Sequence, residues 1–176
     1  MNNNTLKATN LKIVMKISEL LTRIEKEDFY KKFKSENQDS YVCAMLCILS
    51  KNEREGDKIQ LDFYMPSKKK LAFTEYPFNQ MQFPKETVEK MTKLKNDEMA
   101  FEVNELWEII ENAKKQKDTF HNTRKIIGIL KDDRWILTCL DDMMGIIKLN
   151  INSLTGKIEK FEKGNLTDFM GFKKTK

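Results

Sequence analysis

Apolar and polar residues alternate along much of this chain, and the alternation twice gives way to a three-to-four-residue apolar spacing. The first such window predicts an amphipathic helix over 11–27, with Ile13, Ile17, Leu20, Leu21 and Ile24 on one face and Lys12, Lys16, Glu19, Arg23 and Lys26 on the other. The segment 28–40, DFYKKFKSENQDS, reads as a polar connection. Period-two runs then predict strands at 41–49, 58–65 and 69–76, separated by the turns KNEREGD and PSKKK. Pro77 and Pro84 bracket a linker, and Pro84 is suited to open a helix with Glu86 in its first turn. A further helix is predicted over 102–116, where Val103, Leu106, Trp107, Ile110 and Ala113 form the apolar stripe. Four more strands follow at 123–130, 134–140, 145–152 and 156–163, punctuated by Asp132-Asp133 and Asp141-Asp142.

The element order predicts an α+β protein in which an antiparallel sheet packs against amphipathic helices. The helix-then-strands order occurs twice, which suggests two related α-β-β-β units. Ile17, Leu20, Leu21 and Ile24 fall opposite Val103, Leu106, Trp107 and Ile110, and Ile59, Leu61 and Phe63 fall opposite Ile147, Leu149 and Ile151. The chain divides on this reading into an N-terminal unit (1–80), a C-terminal unit (81–163) and an apolar and basic tail (164–176).

Composition narrows the classes. With 40% apolar and 34% charged residues in 176, the chain has enough material for a buried core under a heavily charged surface. No apolar run approaches the roughly 20 residues that span a bilayer, and MNNNTLKATN has no signal-peptide h-region. The expectation is a cytoplasmic protein without a membrane role. The net charge of +5 is almost all lysine, Arg23, Arg54, Arg124 and Arg134 being the only arginines. Cys43 and Cys47 would share a strand face about 13 Å apart, beyond disulfide reach. With one histidine and no CxxC, the three cysteines read as buried thiols in a reducing compartment, not as zinc ligands.

The stretch IIKLNINSLTGKIEKF (146–161) is an alternating strand, a Thr155-Gly156 turn and a second strand. Preceded by a helix and further strands, it resembles the PepSY-type domain, the small α+β module of peptidase propeptides and related binding proteins. That family's terminal pattern v-D-a-x-T-G-K-v is occupied here by Asn152, Ser153, Leu154, Thr155, Gly156, Lys157 and Ile158, with Asn for the usual Asp and Ser for the usual small apolar residue. The resemblance covers about 102–163, and the first half carries MPSKKK where the Thr-Gly turn would be. It implies a non-catalytic module that binds or inhibits a protein partner.

The two aspartate pairs, at opposite ends of one strand, would lie over about 20 Å apart and cannot share an ion. Turn formation explains them better. His121 could be a general base with Asp118 or Cys139 for partners, but a lone histidine in a polar loop is more often solvated, and no nucleophile, zincin or phosphate-loop motif accompanies it. The expectation is therefore no catalytic set, no metal and no cofactor. Leu154, Thr155 and Gly156 in the turn, with Phe169, Met170 and Phe172 in the tail, are the candidate contacts for a protein partner. The alternative is a nucleic-acid-associated protein using Lys68, Lys69, Lys70, Lys114, Lys115 and Lys117, with Phe120, Trp135 or Tyr76 stacking on bases.

Overall fold

Alternation of side chains over these runs gives seven strands in one sheet, β1 (Tyr41–Ser50), β2 (Lys58–Met65), β3 (Lys70–Glu75), β4 (Lys125–Lys131), β5 (Arg134–Leu140), β6 (Gly145–Asn152) and β7 (Ile158–Asn165). A computed structural model describes residues 16–52 and 55–169, the side chain of Phe169 excepted. Every pairing is antiparallel, in the order β3-β2-β1-β4-β5-β6-β7. Two meanders, β1–β3 and β4–β7, are thus joined along their first strands. The architecture is α+β, as the pattern predicts.

The turns obey local chemistry. Asp132 and Asp133 both adopt positive φ (50° and 54°) between Lys131 and Arg134, which face each other. That is the left-handed pair a two-residue hairpin requires, and short acidic side chains tolerate it. In the β6–β7 turn the Asn152 side-chain oxygen accepts from the backbone N–H groups of Leu154 (3.1 Å) and Thr155 (3.0 Å). Gly156 supplies the left-handed residue there at φ 73°.

Helices α1 (Ile17–Ile24), α2 (Asp28–Glu36) and α3 (Leu106–Gln116), the last preceded by a 3-10 turn at Val103–Glu105, share one apolar core with the sheet; α4 (Leu166–Phe169) is a single turn after β7. The Ile17, Leu20 and Ile24 stripe of α1 and the Val103, Leu106, Ile110 and Ala113 stripe of α3 are buried. Under them lie Met45, Cys47 and Leu49 of β1, Ile59, Leu61, Phe63 and Met65 of β2, Ile126 and Leu130 of β4, Trp135, Leu137 and Cys139 of β5, and Ile147, Leu149 and Ile151 of β6. Gly128 makes room for this layer: a Cβ there would sit 2.8 Å from Cys47 Sγ and 3.3 Å from the Trp135 ring. The two halves also meet at their helix starts, where Glu102 accepts from the Ile17 N–H at 3.1 Å. Burial pushes the Glu102 carboxyl above its ordinary value, and that hydrogen bond opposes the rise.

Two local expectations fail. Residues 28–36 are helix α2, not a polar connection; Phe33 is buried and Tyr30 packs at 5.6 Å from the Phe63 ring. The helix expected after Pro84 does not form. Residues 85–101 run without helix because their backbone hydrogen bonds go to the sheet instead: Val88 N–H to Lys69 O (2.9 Å), and Leu94 N–H to Val42 O (3.0 Å). Of the expected 11–27 helix, residues 11–15 lie outside the described residues.

Candidate functional site

The sheet has a second face, turned away from the core that α1 and α3 cover. On the central strands the residues alternating with the core, Leu46 and Ile48 of β1, Ile127 and Ile129 of β4 and Ile136 of β5, are only partly buried. The register makes them one patch. Leu46 lies opposite Ile129, Ile129 opposite Ile136, and Ile48 opposite Ile127. Opposed residues on neighbouring strands sit about 5 Å apart, so the patch is about 10 Å wide across three strands. Beside it, a groove of about 290 Å3 is walled by Leu46, Ile48, Lys58, Gln60 and Glu75.

Among the described residues this face is closed at two places: Ile146, opposite Leu140, is buried near the start of β6, and the far end is roofed. A bulge between Val42 and Ala44 turns both Cys43 and Ala44 toward it, where they pack with Tyr64 against Tyr41, Leu71 and two residues of the linker, Val88 and Met91. The Tyr41 hydroxyl donates to Met91 O at 2.7 Å and fixes the linker there.

Cations border the patch, and carboxylates balance them. Lys58 lies opposite Ile48, and Lys148 opposite Thr138, the neighbour of Ile136 along β5. Lys125 and Lys131 stand two residues before Ile127 and after Ile129 on the same face, and Arg134 two before Ile136. Carboxylates stand one position farther out. Glu55 pairs with Lys125 at 2.7 Å, Glu159 with Arg134 at 2.7 Å, Glu162 lies opposite Lys148, and Glu75 opposite Gln60. Asp62 is half-buried beside Gln60, whose amide donates to it at 2.6 Å. Burial pushes its carboxyl upward against that hydrogen bond.

The residues singled out from sequence are dispersed. Leu154, Thr155 and Gly156 sit in the turn before β7, whereas α4 leaves its far end, about 26 Å away along eight extended residues. Of the tail contacts, Met170, Phe172 and the Phe169 side chain lie outside the described residues. Lys68, Lys69 and Lys70 form the β2–β3 connection, and Lys68 Nζ donates to Asn37 Oδ1 at 2.6 Å. Lys114, Lys115 and Lys117 belong to the C-terminal end of α3, at the opposite end of the sheet, where the following residues lead into β4 beside the end of β1. Lys114 is buried, its ammonium donating to Glu111 (2.7 Å) and His121 O (2.6 Å), while Lys115 and Lys117 are exposed. Trp135 is fully buried and has no face for a base, whereas Phe120 is exposed.

His121 is also a correction. It is buried, not solvated, with Nδ1 2.8 Å from Thr123 Oγ1 and Nε2 3.5 Å from Asp141 Oδ2. Its acidic neighbour is Asp141, which also accepts from the N–H groups of Met143 and Gly145 and so shapes the β5–β6 turn. Cys43, Cys47 and Cys139 are free and buried, and burial pushes each thiol up to about 12. The hydroxyl beside His121 is that of Thr123, which is itself fully buried. The patch itself escaped sequence reading, although YVCAMLCILS and KIIGILK carry its signal: strands apolar on both sides ask for cover on both.

No family model matches the chain, and a search of curated proteins finds no match. Among solved structures it is similar to the crystal structure of "a putative lipoprotein" from Clostridium difficile 630, at 14% identity and a TM-score of 0.49, over 79% of this chain and 97% of that one.

Proposed function

We propose that this protein is a non-enzymatic binding module that holds or restrains another protein, and that the half-bare face of its sheet is the contact. One observation carries the reading. Five aliphatic side chains on the three central strands form a continuous patch facing away from the helices. Contiguous exposed apolar surface marks an interaction site far more often than scattered apolar residues do.

The PepSY-type resemblance of residues 102–163 points the same way. Its support is a helix followed by an antiparallel meander, and a Thr-Gly turn in which Asn152 accepts the two backbone hydrogen bonds that an aspartate could also accept. The idea of two related units belongs with this proposal. If they are related, the offset that sets Ile59, Leu61 and Phe63 opposite Ile147, Leu149 and Ile151 makes β2 and β6 the equivalent strands.

The test is capture from the native host's lysate, after nuclease and in high salt, by the wild-type chain and by the double variant Ile127→Lys, Ile129→Lys. A discrete protein retained by the first and lost by the second supports the reading, provided the variant keeps its far-UV circular dichroism. Equal capture by both, or recovery of nucleic acid alone, overturns it.

A further inference from the structure

We propose that β7 is a self-pairing edge, through which two copies of this chain join into one antiparallel sheet of fourteen strands, seven from each. The two edges of the sheet are treated differently. Along β3 the linker closes the edge: Phe73 and Gln82 exchange backbone hydrogen bonds (3.0 and 2.8 Å), and the Val88 N–H reaches Lys69 O at 2.9 Å. At the other end of the strand order β7 pairs with β6 on one side, and among the described residues no strand or bridge meets its other side. An open row of backbone donors and acceptors is a template for a further strand.

Which strand fits is set by the side chains of β7. Lys160 lies opposite Asn150 of β6 and Glu162 opposite Lys148, so both point away from the core, whereas Phe161 lies opposite Leu149 and packs against the core. Two-fold antiparallel pairing sets each face of one copy beside the same face of the other, with the axis at a residue. Centred on Phe161, it places Lys160 opposite the second copy's Glu162, Glu162 opposite the second copy's Lys160, and the two Phe161 rings side by side. Opposed side chains stand about 5 Å apart. The Lys160–Glu162 pair, 3.0 Å apart within one chain, then becomes part of a ring of four alternating charges. Moving the axis by one residue sets Lys160 against Lys160 or Glu162 against Glu162, and like charges repel. Glu159 and Lys163, whose positions also meet in the Phe161-centred register, are again of opposite sign, and each has a contact within its own chain, to Arg134 and to Phe120 O. Charge on an edge ordinarily keeps strands apart. Here its order along the strand lets one register through. A join of one strand pair is small, so the dimer forms at high protein concentration and dissociates on dilution. Pairing uses up β7 and the linker closes β3, so assembly stops at two.

The experiment is sedimentation velocity of the full chain from micromolar to millimolar concentration, on wild type, Lys160→Glu, Glu162→Lys and an equimolar mixture of the two variants. Both side chains reach solvent, and far-UV circular dichroism checks that each variant is folded. The expected result is a wild-type dimer at the high end of the range. Each single variant should dimerise about tenfold or more weakly, since the two-fold axis counts each lost pair twice. Their mixture should recover the dimer, because the acidic edge of one then meets the basic edge of the other. A wild type that stays monomeric throughout leaves the edge to a strand of some other protein and overturns the proposal. Dimers indifferent to the single variants, a mixture no tighter than its components, or species larger than a dimer overturn it as well. The Ile127→Lys, Ile129→Lys variant, altered in the middle of the sheet, should keep the wild-type dimer. Loss of the dimer there places the join on the aliphatic face and overturns the edge.

Discussion

Ile136 and Leu137 are neighbours on β5, yet they live in different solvents. Leu137 is sealed beneath the helices with Trp135 and Cys139, while Ile136 meets Ile129 on the side turned away from α1 and α3. The same contrast separates Cys47 from Leu46 and Ile126 from Ile127. Each side of β4 carries two aliphatic side chains, but the outer side adds Lys125 and Lys131 and the inner one Gly128. Among the described residues the chain supplies α1 and α3 for one side and, at one end of the other, the linker residues Val88 and Met91.

The largest test of the contrast is a paired truncation. Leu137→Ala should cost about 2–5 kcal/mol in urea unfolding, because the helices leave a cavity that cannot collapse; Ile136→Ala should cost about 1 kcal/mol or less, since its site is already open to water. Equal losses would mean that the second face is as closed as the first. Gly128→Ala comes next, with an expected loss of about 1–3 kcal/mol from the clash of its Cβ with Cys47 Sγ and the Trp135 ring. A neutral result would show a slack layer under the helices.

The thiols sharpen the comparison kinetically. All three are buried and pushed up to about 12, so a thiol reagent at mildly alkaline pH should label the native chain far more slowly than the urea-unfolded one. Rapid labelling of Cys43 alone, which packs under the linker, would reveal an opening of the roofed end. The smallest effect concerns Asp62. Its carboxyl is raised by burial, so the folded protein holds that proton more tightly than the unfolded chain. The stability this gives is present below the unfolded value and is lost as pH rises through the folded one. Asp62→Asn should therefore raise the melting temperature near neutral pH, with the gain vanishing in acid. A gain independent of pH would place the cause elsewhere.

Much of the architecture was readable because period-two alternation is local. The strand predicted at 134–140 matches β5, and the aspartate pairs fall in the turns that bound it. Helix α2 was missed because its apolar stripe is short, Phe29, Tyr30 and Phe33 amid Lys31, Lys32 and Lys34. The segment after Pro84 misled in the opposite direction. Val88, Met91 and Leu94 have helical spacing, but hydrogen bonding to the sheet overrides it. The burial of His121 and its approach to Asp141 depend on two loops meeting across the end of the sheet, which no local pattern encodes. The cations bordering the patch were hidden for a related reason. Lysines grouped in sequence drew attention, whereas Lys58, Lys131 and Lys148 are grouped only by register.

The union of the halves through β1 and β4 also sets a timetable for synthesis. Strand β1 pairs at once with β2, but its other edge waits for β4, on the far side of the long linker. The first turn of α1 waits likewise for Glu102. A ribosome that has completed the first three strands therefore holds a nascent sheet with a naked apolar edge, of the kind that pairs with a neighbouring copy. Slowed translation across residues 76–131 is therefore expected to raise the yield of aggregates.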